Sequence, residues 1–189
     1  MIWKRRRLNK LSKDINDLHP YVKYLAEKFI AECRAKGLEP VITSTFRTMQ
    51  EQTEIYAHGR TKPGTIQSYT KAGYSMHNYG LAWDVSFPRD ADYKKASVIG
   101  KKLGLTWGGD FKVVINGKRV PFVDSPHFQW TGGLTTEDLL KGKRPENPLD
   151  MTVKEFQKAF GLKADGIAGP VTKAKMKQVL TLINKYVKG

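Results

Sequence analysis

Apolar residues recur at helical spacing from Val22 to Cys33. Val22, Leu25, Ala26, Phe29, Ile30 and Cys33 share one stripe. Pro20 suits the first turn of that helix and Gly37 the position just past its end, so the pattern predicts a helix over residues 20–36. The period then shortens, and Val41 to Phe46 reads as a strand. Thr48-Met49-Gln50-Glu51 is a capping box that starts a second helix, running to about Ala57 and stopping at Gly59. Residues 59–74 are rich in Gly, Thr, Lys and Ser and predict a long loop, which is expected to rim a substrate groove. After Gly80 the residues alternate. Leu81, Trp83 and Val85 are apolar and would face a core, while Gly80, Ala82, Asp84 and Ser86 share the other face of a strand. A helix over 91–103 ends at Gly104, and Asn116-Gly117 between two β-prone runs (113–115 and 118–120) predicts a hairpin. The whole is an α+β layout, a small and mostly antiparallel sheet flanked by helices, followed by a short C-terminal helical unit.

The end of the chain changes character. From about Thr135 to Pro148 the composition turns polar around Lys141-Gly142-Lys143-Arg144-Pro145, which reads as a linker. Thr152-Val153-Lys154-Glu155 is a further capping box, opening a helix through Phe156 and Phe160 that Gly161 closes. Asp165-Gly166 is a turn, and Gly169-Pro170 opens a last helix to about Tyr186. The expected boundaries are a main domain over 1–138, a linker over 139–149 and a helical unit over 150–189.

Composition narrows the possibilities. With 40% hydrophobic and 27% charged residues the chain fits a soluble globular protein, and no apolar run approaches the ~20 residues of a membrane span. The start, Met1 to Arg7, is basic but lacks the apolar stretch of a secretory signal, so synthesis in the cytoplasm is expected. A single cysteine excludes an internal disulfide framework, and Cys33 lies on the apolar stripe of the first helix, where it reads as a buried small residue. The formal net charge of +15, with a cluster at Lys4, Arg5, Arg6, Arg7, Lys10 and Lys13, asks for a partner. Nucleic acid is the reflex reading, but no helix-turn-helix, zinc-finger or aromatic-rich signature accompanies the charge. Polymers dense in phosphate and carboxylate would attract the chain by the same electrostatics, and a solvated basic face is the simpler alternative.

The chemistry concentrates in two stretches, Ser75 to Asp84 and Asp124 to Trp130. Together they hold His77, Asp84, Asp124 and His127, ligand types that zinc accepts. Small neighbours leave room beside Asp84, and His77 lies just before the strand in a segment that can fold back over that face. Alternation puts His127 and Gln129 on one side and Phe128 and Trp130 on the other. Pro126 excludes a helical H-E-x-x-H site. Two histidines and one carboxylate (His77, Asp84, His127) leave a fourth tetrahedral position for water, the layout of a catalytic site, and Asp124 is then free to act as general base.

Ser-x-His-x-x-Gly-x-Ala-x-Asp, matched at residues 75, 77, 80, 82 and 84, followed by Asp-x-x-His, resembles the zinc peptidases that cut bacterial cell-wall stem peptides. That family holds D-alanyl-D-alanine carboxypeptidases, vancomycin-resistance dipeptidases and the L-alanyl-D-glutamate endopeptidases of phage lysins. Trp107-Gly108-Gly109-Asp110 is similar to the endopeptidase branch, and the resemblance covers roughly residues 15–131. It implies a Zn2+ cofactor, a peptidoglycan substrate and a monomeric enzyme acting at the bacterial wall, most simply an L-Ala-D-Glu endopeptidase of endolysin type. A D-Ala-D-Ala carboxypeptidase and a non-catalytic wall-binding protein are the alternatives. It also gives Arg47 a role in binding substrate or stabilising the oxyanion, against the plainer reading of a surface ion pair. Ser75 is either a hydrogen-bond partner of a ligand or a turn residue, and His19 and His58 read as loop or surface residues. The pattern from Val153 through Thr172 looks like the peptidoglycan-binding helical repeat, although only about forty residues remain for it. A helical hairpin docked on the main domain is the other reading.

Overall fold

The structure, a computed structural model, describes residues 11–115, 117–148 and 153–187. The basic cluster through Lys10, Asn116 of the hairpin turn and Thr152 of the last capping box lie outside the described residues. The chain divides into two units, Met1–Glu146 and Asn147–Gly189.

The first unit is built on α1 (Pro20–Ala35), β1 (Val41–Ser44), α2 (Met49–Ala57), β2 (Ala82–Ser86), α3 (Asp90–Lys102), β3 (Thr106–Trp107), β4 (Lys112–Ile115), β5 (Lys118–Pro121), β6 (His127–Gln129) and α4 (Thr136–Leu140). Strands β1, β2, β6 and β3 form an antiparallel sheet in that order, which is the expected α+β architecture. Thr48 and Glu51 make the reciprocal capping box at the start of α2. Helix α1 lays its stripe of Val22, Leu25, Ala26, Phe29 and Cys33 on the core, where Leu81, Trp83, Val85 and Phe128 meet it from the sheet. The Phe29 ring stands 4.6 Å from Phe128 and 5.9 Å from Trp83. Burial pushes the Cys33 thiol up to about 12, so it is a packing residue with no nucleophilic character.

Three details depart from the sequence reading. Strand β1 stops at Ser44, because the Thr45 amide turns to the Ser12 carbonyl (2.8 Å) and leaves the ladder. The β4–β5 hairpin forms a separate two-stranded sheet and does not extend the main one. The polar stretch after Thr135 is not all linker: Thr135 and Asp138 make a capping box, and Leu139 of α4 is buried in the core. One inward leucine anchors a single helical turn, too short for periodicity to announce it.

Gly100 of α3 offers a stability test. A Cβ there would stand 2.7 Å from Cε1 and 2.8 Å from Cδ1 of Phe128. Alanine gains ~0.5–1 kcal/mol of helix propensity over glycine. Overpacking costs ~1–3 kcal/mol and prevails. Gly100→Ala is therefore expected to lower the melting temperature, as measured by circular dichroism.

In the second unit, α5 (Val153–Ala159) and α6 (Pro170–Val187) flank the Asp165-Gly166 turn. Buried Gln157 organises that turn. Its Nε2 donates to Asp165 Oδ1 (2.8 Å), the Ile167 carbonyl (3.1 Å) and Thr172 Oγ1 (3.1 Å), and its Oε1 accepts from the Gly166 amide (2.9 Å). Ile167 and Val171 stand exposed beside it.

Candidate metal centre

The register of the main sheet assembles the site. Asp84 on β2 pairs directly with His127 on β6, and Ser44 at the end of β1 pairs with Asp84 from the other side. The alternation that sends Trp83 and Phe128 into the core sends Asp84 and His127 to the opposite face. His77 comes from a 3-10 turn, Met76–Tyr79, which closes at Gly80 in the left-handed region (φ 68°). A side chain at Gly80 would also crowd the His19 amide nitrogen at 3.0 Å, so the motif's glycine is required on both counts. The His77 carbonyl accepts the Arg47 amide (3.0 Å) and ties this turn to the chain leaving β1.

His77 Nε2, His127 Nδ1 and Asp84 Oδ1 form a triangle with every edge 3.2 Å. Ligand atoms ~2.0–2.1 Å from a tetrahedral zinc ion stand about 3.3 Å apart, so the triangle has the right size. The outward nitrogens are fixed by oxygen acceptors. His77 Nδ1 donates to the Thr45 carbonyl (2.6 Å), and His127 Nε2 donates to Gln129 Oε1 (2.9 Å). These bonds set both tautomers and leave the inward lone pairs free for a cation. Both histidines are buried, and His77, Asp84 and His127 satisfy the spacing of a metal cluster. The donor set fits a resident divalent ion.

The charges are strongly coupled. Burial alone would raise the pKa of Asp84, but the charges and hydrogen bonds of His77 and His127 outweigh it and hold the carboxyl well below the usual carboxylate range. Burial lowers the pKa of His77. Burial also opposes a charge on His127, yet Asp84 outweighs it and raises that pKa. The two histidines and the carboxylate thus form a tightly coupled set around the point where a cation would sit.

Asp124 approaches from the turn before β6. Its carbonyl accepts the His127 amide (3.1 Å), and its own amide donates to the Gly108 carbonyl (3.0 Å). The Trp107-Gly108 segment grips this turn: Trp107 Nε1 donates to the Ser125 carbonyl (2.8 Å), and a Cβ at Gly108 would collide with the Asp124 carbonyl oxygen at 2.3 Å. Burial raises the pKa of Asp124, opposed by the charges of His127, His77 and Arg47 and reinforced by Asp84. Arg47 is buried, with NH1 donating to Gln52 Oε1 (2.9 Å) and NH2 to Ser44 Oγ (3.3 Å), the latter also 3.9 Å from Asp84 Oδ2. This is not a surface ion pair.

The structure thus brings His77, Asp84, His127, Asp124 and Arg47 into one neighbourhood. His19 and His58 stand apart, at the ends of α1 and α2. Ser75 precedes the 3-10 turn, and no hydrogen bond joins its side chain to the cluster. Sequence reasoning missed Gln52 and Asn78, both buried. Asn78 Nδ2 donates to the Arg47 carbonyl (2.8 Å) and its Oδ1 accepts the Gly73 amide (3.0 Å). The available signal was a polar residue at an inward-facing position, one turn into α2 for Gln52 and inside the histidine motif for Asn78.

Comparison with known proteins places the chain in a family. The VanY family, described as D-alanyl-D-alanine carboxypeptidase, matches residues 15–104, and a peptidoglycan binding domain family matches residues 147–176. The peptidoglycan L-alanyl-D-glutamate endopeptidase CwlK of Bacillus subtilis (strain 168) is 38% identical over 131 residues, covering 60% of this chain and 74% of CwlK. The L-alanyl-D-glutamate peptidase of Listeria phage A118 is 29% identical over 153 residues, covering 79% of this chain and 51% of the phage protein, so the chain spans about half the length of that relative. The solved structure of VanYB in complex with D-alanine-D-alanine shares the fold, with a TM-score of 0.50 at 20% identity over 76% of this chain and 93% of that one. The chain belongs to the VanY-type peptidase family that includes D-alanyl-D-alanine carboxypeptidases and peptidoglycan L-alanyl-D-glutamate endopeptidases.

Proposed function

We propose that this chain is a zinc-dependent endopeptidase that cuts the L-Ala-D-Glu bond of peptidoglycan stem peptides, in the manner of an endolysin. The observation that carries the reading is the 3.2 Å triangle of His77, Asp84 and His127 with both outward nitrogens pinned. The 38% identity to CwlK supports the choice of bond.

His77, Asp84 and His127 would hold the zinc ion, which when bound would supply Lewis acidity and make water at the site easier to deprotonate. Asp124 takes a proton from the attacking water and passes it to the nitrogen that leaves as the carbonyl carbon–nitrogen bond breaks. In the metal-free site burial pushes the Asp124 carboxyl up from its ordinary range. Arg47 presents a fixed positive charge to the oxyanion that develops on the carbonyl oxygen. Gln52 and Ser44 hold the guanidinium in place.

The test of bond choice is digestion of a muropeptide carrying a full pentapeptide stem, with mass spectrometry of the products. New L-Ala carboxyl and D-Glu amino termini are expected. Release of terminal D-Ala would instead show a carboxypeptidase, the activity named for the VanY family.

The second unit is read as an anchor on the wall, on the strength of the peptidoglycan binding domain match over 147–176. The formal net charge of +15 adds attraction to anionic wall polymers. Among the described residues no helix is long and apolar enough to cross a membrane. A chain ending near Pro148 is expected to cut soluble muropeptide at close to the full-length rate. It should lyse intact walls poorly, with the gap narrowing at high enzyme concentration, because tethering acts through effective concentration. Equal wall binding with and without the unit, measured by sedimentation with purified walls, would remove the anchoring role.

A further inference from the structure

Gln52 is fully buried (0% exposed) on the inward face of α2, and its hold on the Arg47 guanidinium uses only the oxygen end of its amide. Its amide joins two parts of the unit that are distant in sequence. Oε1 accepts from Arg47 NH1 (2.9 Å), whereas Nε2 donates to the Thr70 carbonyl (2.6 Å) and Ser68 Oγ (3.0 Å). Ser68 Oγ in turn accepts the Thr70 amide (3.1 Å), so the segment 68–70 is folded around the Gln52 head group.

The same long loop is tied to Arg47 a second time, because Asn78 joins the Gly73 amide to the Arg47 carbonyl. On its other side the loop reaches toward the base. The exposed ring of Tyr69 packs edge-on against Phe122, 5.5 Å between centroids, two residues before Asp124. Arg60 NH1 donates to the Ser68 carbonyl (2.9 Å) from the start of the loop. The loop is thus strung from the Arg47 side of the site to the Asp124 side.

We propose that Gln52 is a positioning residue that locks the Ser68–Thr70 segment to Arg47, making the long loop a fixed wall of the stem-peptide groove. The inference rests on the reading of Arg47 as a group facing the substrate. A buried amide suits this task because its oxygen accepts from Arg47 while its nitrogen donates to Thr70 and Ser68. Losing the Gln52 head group would remove the buried bond to Arg47 NH1 and one of the part-buried bonds to the Thr70 carbonyl, and the loss at the buried guanidinium is the costlier. Substrate that presses on the loop therefore also presses on Arg47.

The test is a double-mutant cycle on zinc-loaded full-length protein with Gln52→Met, Ser68→Ala and both together. Gln52→Met keeps the length of the side chain and removes both its bonding ends. It is expected to raise KM for soluble muropeptide about tenfold with a smaller fall in kcat. Zinc content should not change, and amide exchange should accelerate in residues 66–72 alone. Ser68→Ala is expected to raise KM about threefold by itself, yet by less than twofold when Gln52 is already Met, since the connection is then gone. A full threefold effect of Ser68→Ala in both backgrounds would overturn the proposal. So would unchanged loop exchange in Gln52→Met, or exchange that accelerates evenly over the whole chain. If Gln52→Met does not fold, Gln52→Glu takes its place in the cycle. Glu keeps the acceptor for Arg47 and loses the donor to Thr70, so loop exchange should still accelerate; an unaltered loop in that variant likewise overturns the proposal. Exchange is read whether or not the protein turns over muropeptide. An inactive wild type would therefore count against the peptidase reading, with loop exchange still deciding the role of Gln52.

Discussion

Replacing Asp124 by Asn is expected to lower turnover of soluble muropeptide by roughly 10²–10⁴-fold, the usual worth of a general base. Asn keeps the size of the side chain and its hydrogen-bonding reach but cannot take up a proton. The backbone bonds that hold this turn, from the Asp124 amide to Gly108 and from the His127 amide to Asp124, do not involve the side chain and should persist. Asp124 lies outside the triangle of donors, so bound zinc should remain at the wild-type level. The measurement is kcat at saturating muropeptide together with metal content on the same preparation. Loss of metal in Asp124→Asn, with retention in His127→Ala, would reverse the two roles.

Removing a donor from the triangle is expected to have the other large effect. His127→Ala leaves His77 and Asp84 with two of the three donors and takes away the nitrogen that the Gln129 bond had oriented. Zinc should no longer copurify, and hydrolysis should fall to background. The same variant should no longer gain thermal stability when zinc is added, whereas the metal-stripped wild type should gain it, because an ion that binds only the folded state stabilises it by mass action. A His127→Ala protein that keeps one zinc per chain would place the ion elsewhere. Gln129→Ala is a milder version. It frees the outward nitrogen of His127 and is expected to weaken metal affinity by about 10–100-fold without abolishing activity at excess zinc.

The donors were legible in the sequence for a definite reason. Alternation after Gly80 fixes which face Asp84 takes, and the same argument places His127 against Phe128. What alternation cannot give is register. That Asp84 pairs with His127, and not with Gln129, depends on how two strands more than forty residues apart align. No local pattern encodes that alignment. Arg47 could be located at a strand end, but its burial was not legible, because it depends on Gln52 and Ser44 arriving from separate elements. Gln52 itself reads in sequence as an ordinary polar helix residue. Only its partners, sixteen or more residues further on in the loop, show why a buried amide is tolerated there. The hairpin was predicted from its turn, yet membership of a separate sheet is a tertiary outcome. Helix α4 was missed because a polar run with one inward leucine carries too little periodicity.

In the function proposed above, hydrolysis of the stem peptide depends on one zinc ion held by His77, Asp84 and His127. The most direct measurement is a titration of metal-stripped full-length protein with zinc, following the rate of muropeptide cleavage at each addition. No cleavage is expected without metal, then a rise in rate proportional to added zinc and a plateau at one ion per chain. Full activity in protein shown by elemental analysis to hold no metal would contradict it.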